Sequence, residues 1–161
     1  MNHPMYDFTQ HTPSPVTQNN HLERHASWLG YAGLIPFVTL AALALVSNGD
    51  LQLQSRGALI GYGAVIISFL GAWHWYAAIE RGGDSASLSR MVFAVSPALL
   101  GWAALLLPHA YGMALVLTGL LITCVVDGRW MSGSPTWYRL LRRRLTVVAT
   151  ISMTSAVFSL L

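Results

Sequence analysis

The stretch that decides the fold runs from Gly57 to Ile79 and reads GALIGYGAVIISFLGAWHWYAAI. Its 23 residues contain no carboxylate and no guanidinium. A helix needs roughly 20 mostly apolar residues to cross a bilayer. The stretch therefore predicts a transmembrane helix over about 57–79.

Small residues recur along this helix at steps of four and three, which places them on one face. They are Gly57, Gly61, Ala64, Ser68 and Gly71. Small side chains let helix backbones approach closely, and this is how helices pack in lipid. We expect this face to pack against other helices. The opposite face, which we expect to contact lipid, carries Leu59, Tyr62, Ile66, Leu70 and Trp73.

The rest of the chain has the same character, since 54% of its 161 residues are hydrophobic and 9% are charged. Ordinary soluble domains carry about 25% charged residues. The apolar residues form long blocks, which predict spans at about 28–47, 57–79, 89–107, 111–127 and 145–161. The predicted fold class is all-α, a polytopic membrane bundle of five helices. The preceding residues, 1–26, are polar and rich in Pro, Asn, Gln, Thr and His, which predicts a disordered tail.

Two prolines refine this layout. Pro36 lies inside the first span and lacks the N–H that would bind the carbonyl of Ala32, so we expect a kink there. Pro108 lies in the very short link before the fourth span, which makes spans three and four antiparallel neighbours.

The arginines predict the orientation. With five spans, eight of the nine arginines share a side with the N-terminus, and only Arg56 lies on the other. Arginine accumulates on the cytoplasmic side of membrane proteins, so the N-terminus is predicted to be cytoplasmic. The tail has neither the apolar core of a signal peptide nor the arginine-rich, acid-poor composition of a mitochondrial presequence. We therefore expect a bacterial inner membrane, with the mitochondrial inner membrane as the alternative.

His74 is the one histidine inside an apolar span, and ionisable residues at such depth are candidates for function. Asp127 ends the fourth span in the same leaflet, where a carboxylate opposes the helix dipole and needs a compensating cation. Arg129 or the run Arg142 to Arg144 could supply it. Both residues also have structural interpretations, as a hydrogen-bonded imidazole and as an ion pair. The sharper hypothesis is a proton or ligand site that joins His74 and Asp127, with Ser68 as a further candidate.

Aromatic and basic residues mix in the segment 128–144, as is typical of a membrane interface. Residues predicted to bind anionic lipid headgroups there are Trp137, Arg142, Arg143 and Arg144. One short interfacial run gives no footprint for nucleic acid.

The sequence contains no Walker A loop, no GxGxxG after a strand, no HExxH and no GxSxG, so it disfavours an enzyme without deciding the question. The tail histidines have no tight metal-ligand spacing, and no metal site is predicted. A haem held by two histidines would need His25, at the edge of the polar tail, to partner His74. No cofactor is predicted.

Several segments together resemble the DUF3429 family, to which transmembrane protein 69 belongs. They are Trp28 to Phe37, Tyr62 to Gly71 followed by His74-Trp75, Ser96 to Trp102, Asp127, Pro135 to Tyr138 and Leu140 to Thr146. The resemblance covers about Trp28 to Ser152. It implies a multi-pass membrane protein of bacteria or mitochondria, and it implies no activity or cofactor.

Two functions follow as hypotheses. The first is an accessory or interaction protein that stabilises or assembles a larger membrane complex, with membrane lipids as its other partners. The second is a small transporter or a proton- or ligand-binding protein that uses His74 and Asp127, in which case five short helices would favour a homo-oligomer.

Overall fold

The computed structural model describes residues 15–80, 85–131 and 133–158. This part of the chain forms six α-helices and no strand, which confirms the all-α class. In order they are α1 Pro15–Ala32, α2 Ile35–Val46, α3 Gly49–Glu80, α4 Ser85–Leu105, α5 His109–Trp130 and α6 Thr136–Phe158.

Four stretches of the described chain are long and apolar enough to cross a membrane, which confirms a polytopic membrane bundle. They are His21–Val46, Gly49–Glu80, Ser87–Leu105 and His109–Trp130. Helix α6 is not among them, because four arginines lie in its first nine residues. The fifth span and the cytoplasmic N-terminus stay predictions.

Two helices begin earlier than the sequence predicted. Helix α1 begins at Pro15, so residues 15–26 are helical where a disordered tail was expected, and residues 1–14 lie outside the described part. Helix α3 begins at Gly49, with a φ of 63°. The segment expected as a loop is helical, and its Gln52 side chain donates to the carbonyl of Ala44 in α2 at 3.1 Å.

The first apolar stretch breaks at Gly33 and Leu34, between α1 and α2. Pro36 lies in the first turn of α2, so the kink expected at this proline falls just before it. The Tyr62 hydroxyl of α3 donates to the carbonyl of Gly33 at 2.7 Å. The Tyr62 ring also packs edge-on against Phe37, with ring centroids 5.0 Å apart. Because a free carbonyl is costly in lipid, Tyr62 stabilises the break.

Helix α3 lies at the centre of the bundle, where it contacts α2, α4 and α5. Leu59 is fully buried, and Ile66 and Leu70 pack against the same core. The expectation that this face contacts lipid was therefore wrong. The face that α3 does expose includes Val65, Phe69, Ala72, Tyr76 and Ile79. A helix with neighbours on three sides buries most of its circumference. The sequence of the helix alone does not predict how many neighbours it has.

Three of the small residues of α3, Gly61, Ala64 and Gly71, lie along α4. A Cβ at Gly71 would overlap the carbonyl oxygen of Ala94. A Cβ at Gly101 would lie 3.0 Å from the Cβ of Ala64. Nearer the start of α3, a Cβ on Gly57 would lie 3.3 Å from the ring of His109, the first residue of α5. Contact is looser at Gly61, where a Cβ would meet only the Leu105 side chain at 3.9 Å. The close approach of α3 and α4 therefore depends most on Gly71 and Gly101.

We expect Gly71→Ala to lower the free energy of unfolding by about 1–3 kcal/mol, because the added methyl pushes the α4 backbone away. Unfolding by dodecyl sulfate titration in mixed micelles measures this. Gly61→Ala is the matched control and should change the value by less than about 0.5 kcal/mol. Equal losses in the two variants would contradict the close packing at Gly71.

We expect Tyr62→Phe to cost about 1–3 kcal/mol of unfolding free energy, because it leaves the Gly33 carbonyl without its donor. The same titration measures the loss. The control is Tyr111→Phe, since Tyr111 is exposed and its hydroxyl makes no bond in the described structure. If the two variants unfold alike, the hydroxyl of Tyr62 does not stabilise the helix break.

Candidate functional site

Three buried polar side chains meet at the end of the bundle where α3 and α5 finish and α6 begins. They are His74 on α3, Asp127 on α5 and Arg142 on α6, with 1%, 9% and 7% of their surfaces exposed. We call them the His–Asp–Arg network. We call this the arginine-rich end, because Arg90, Arg129 and the arginines of α6 belong to the helix ends that meet there.

The Asp127 carboxylate is the centre of the network. Its Oδ1 lies 2.8 Å from Nε2 of His74 and accepts from Nη2 of Arg142 at 3.2 Å. Its Oδ2 accepts from Nε of Arg142. An ionised carboxylate only accepts hydrogen bonds, so Nε2 of His74 carries the hydrogen. Both oxygens are thereby bound by groups of the same chain.

Arg142 joins the network to two further groups. Its Nη2 also donates to the backbone carbonyl of Leu70 in α3 at 2.9 Å. Its Nη1 donates to the Tyr138 hydroxyl, one turn earlier in α6, at 3.4 Å. All three guanidinium nitrogens are therefore engaged. This one side chain ties α6 to the side chain of α5 and to the backbone of α3.

Aromatic rings enclose His74. Phe93 of α4 and Trp130 of α5 meet the imidazole edge-on, with centroid distances of 5.1 and 5.7 Å. The Arg90 guanidinium lies 5.0 Å from the centre of the Trp130 ring, a cation–π contact. Nδ1 of His74 is buried and has no hydrogen-bond partner among the described residues. The imidazole thus has one nitrogen bound to Asp127 and one buried without a hydrogen-bond partner among the described residues.

The charges balance within the network. The sequence required a cation for Asp127, and the structure supplies Arg142, while Arg129 is exposed. With His74 neutral, one negative and one positive charge share the site. A buried ion pair costs desolvation energy that offsets much of its attraction, so the intact pair adds little net stability by itself. Losing one partner is costly, because the other charge would stay buried alone.

The structure brings together two of the three predicted site residues, His74 and Asp127. Ser68 is not among the residues that bind them, because its hydroxyl donates to the carbonyl of Ala64 in the same helix at 2.7 Å. Arg142, which was predicted to bind lipid headgroups, instead belongs to the buried network. Arg143 and Arg144 are exposed, and Trp137 packs edge-on against Tyr138 with centroids 5.7 Å apart.

Sequence reasoning offered the run Arg142 to Arg144 as one source of the cation without singling out Arg142, and it missed the roles of Tyr138, Phe93 and Trp130 in this site. One signal could have shown the role of Arg142. On a helix it shares a face with Tyr138, Leu141 and Leu145, and the arginine that lies on an apolar face is the one that turns inward.

Two cavities adjoin the network. An apolar crevice of about 360 Å³ lies between α1, α2, α3 and α6, with Phe37, Phe69 and Leu145 in its walls. A groove of about 380 Å³ lies between α5 and α6 and reaches Asp127 and Arg142. Neither is lined by His74. Within the described ranges, no three His, Cys, Asp or Glu side chains converge as metal ligands would.

The fold and this site define a polytopic α-helical membrane protein with a buried polar network at one end. The chain belongs to the family described as protein of unknown function DUF3429, whose model matches residues 22–158. The resemblance noted in the sequence is thus confirmed.

Two relatives carry the same name. The chain is 37% identical over 137 residues to transmembrane protein 69 of Xenopus tropicalis, which covers 83% of this chain and 54% of that protein. It is 28% identical over 130 residues to transmembrane protein 69 of Mus musculus, covering 79% and 53%. The chain therefore spans about half the length of these relatives. No solved structure matches it significantly.

We expect Asp127→Asn and Arg142→Gln each to cost about 3–5 kcal/mol of unfolding free energy, because each leaves a buried group without its counter-charge. The double variant should lose less than the sum of the two, by at least about 1 kcal/mol. Unfolding titrations of all four proteins complete the double-mutant cycle.

Arg144→Gln is the control for this cycle, since Arg144 is exposed two residues further along α6. It should change the unfolding free energy by less than about 0.5 kcal/mol. Additive losses for Asp127→Asn and Arg142→Gln would show that the two side chains are not coupled.

Proposed function

We propose that this protein is an accessory subunit that stabilises or assembles a larger complex in an inner membrane. We place its arginine-rich end and its N-terminus on the cytoplasmic side, because arginines concentrate on that side of membrane proteins. The membrane proposed is that of a bacterium, with the mitochondrial inner membrane as the alternative.

One observation carries the proposal: the side chains of Asp127 and Arg142 are fully bonded within the chain. Both oxygens of Asp127 and all three guanidinium nitrogens of Arg142 bind groups of the same chain. A substrate site needs polar groups that are free to bind the substrate and an opening through which it enters. His74 is 1% exposed and lines neither cavity described above. Such a network favours a rigid helical frame over a catalytic or transport centre.

A rigid frame is what an accessory subunit must offer. Helices that assemble in lipid gain little from burying apolar surface, so they depend on shape complementarity and hence on a fixed surface. The network joins α3, α5 and α6 at one end of the bundle. The close contact between α3 and α4 fixes the position of α4. The outer surface of these helices is then available to a partner in fixed geometry.

Purification of the tagged protein from native membranes in digitonin tests the proposal. We expect a second membrane protein at constant stoichiometry, identified by mass spectrometry. We also expect His74→Gln to retain it, because the glutamine amide can still donate to Asp127. A protein recovered only alone or as a homo-oligomer would contradict the accessory role.

A second function is favoured by Nδ1 of His74, which is buried and unpartnered. A nitrogen of this kind can accept a proton while Nε2 stays bound to Asp127, so a proton- or ligand-handling role follows. Proteoliposomes with an enclosed pH-sensitive dye discriminate the two functions. A proton flux that His74→Gln abolishes would support this role, whereas no flux in the wild type would exclude proton transport.

A further inference from the structure

The groove between α5 and α6 lies at the arginine-rich end, beside the His–Asp–Arg network. Its walls come from the last turns of α5 and the first turns of α6. The charged residues that line it are Asp127, Arg139, Arg142 and Arg143.

The groove carries an excess of positive charge. The Asp127 carboxylate is neutralised by Arg142 within the network. Arg139 and Arg143 stand one turn apart on the face of α6 that lines the groove, and both are exposed. Within the described part of the chain, neither forms an ion pair with a carboxylate, and Arg139 donates a hydrogen bond to the Thr136 hydroxyl at 3.4 Å. Two guanidinium groups and one hydroxyl therefore line one side of the groove.

Apart from Asp127, Arg142 and Thr146, the remaining lining is apolar, and this determines which kind of ligand fits the groove. Leu140, Met131 and Cys124 supply most of it, and Gly128 leaves space, since a Cβ there would have no neighbour within 4 Å. A groove with cations beside apolar walls suits an amphipathic anion. Guanidinium groups bind phosphate oxygens through two parallel hydrogen bonds, and arginines near a membrane surface attract anionic lipids.

We propose that this groove binds the phosphate headgroup of an anionic phospholipid through Arg139 and Arg143, with the upper part of an acyl chain against Leu140 and Cys124. The arginines of α6 then have different roles. Arg142 holds the fold, Arg139 and Arg143 bind lipid, and Arg144 lies outside the groove.

Native mass spectrometry of the detergent-solubilised protein, titrated with phosphatidylglycerol, tests the site. We expect saturable binding that the double variant Arg139→Gln/Arg143→Gln weakens about tenfold or more, given about 1 kcal/mol for each arginine near a lipid surface. Arg144→Gln is the matched control, since it removes the same charge from the adjacent position outside the groove. It should retain binding within about twofold.

A second variant changes the shape of the groove without changing its charge. Gly128→Leu places a side chain in the groove while every arginine stays, and we expect it to weaken phosphatidylglycerol binding as well. Its unfolding transition in detergent reports whether the fold is kept. Equal weakening by Arg144→Gln, or full binding by Gly128→Leu in a folded protein, would overturn the site.

Two further titrations identify the ligand. Phosphatidylcholine should bind at least about tenfold more weakly than phosphatidylglycerol, because its headgroup has no net charge. Inorganic phosphate should not compete at millimolar concentration, because it gains nothing from the apolar wall. Competition by inorganic phosphate would assign the groove to a free phosphate and overturn the lipid proposal.

Discussion

The buried carboxylate of Asp127 is the constraint on which this end of the molecule depends. It lies in the last turn of α5, where the helix dipole is unfavourable to a negative charge and little water reaches it. A charge in that position requires donors that are fixed in place. His74 supplies one and Arg142 supplies two. Since Arg142 also binds the carbonyl of Leu70, satisfying one carboxylate fixes the positions of three helices.

The arginines of α6 are consecutive in sequence but lie in different environments in the structure. Successive residues of a helix point about 100° apart, so Arg142, Arg143 and Arg144 cannot share one environment. Arg142 turns inward with Tyr138 and Leu141. Arg143 lines the groove beside α5. The interfacial composition of the segment was evident from the sequence, but the inward arginine depends on how α6 is rotated against its neighbours.

The rest of the fold also contains features that the sequence predicts and features that depend on how the helices pack. The lengths of the apolar blocks and the spacing of the arginines were sufficient to predict a membrane bundle and to place His74 and Asp127 at one end. Whether those two side chains touch depends on the rotations of α3 and α5, which no single helix encodes. The burial of Leu59 was missed because a central helix has neighbours on several sides. The extensions of α1 and α3 were missed because polar residues near an apolar block can continue its helix.

A single turn of α3 connects the packing of the bundle with the site. Leu70 offers its carbonyl to Arg142 of α6. Gly71, the next residue, admits the backbone of α4 at Ala94, and Phe93 beside it packs against the imidazole. His74, one turn later, binds Asp127 of α5. A larger residue at position 71 would move α4 and with it one wall around His74. The small-residue face and the buried network, which the sequence presents as separate features, are therefore parts of one arrangement.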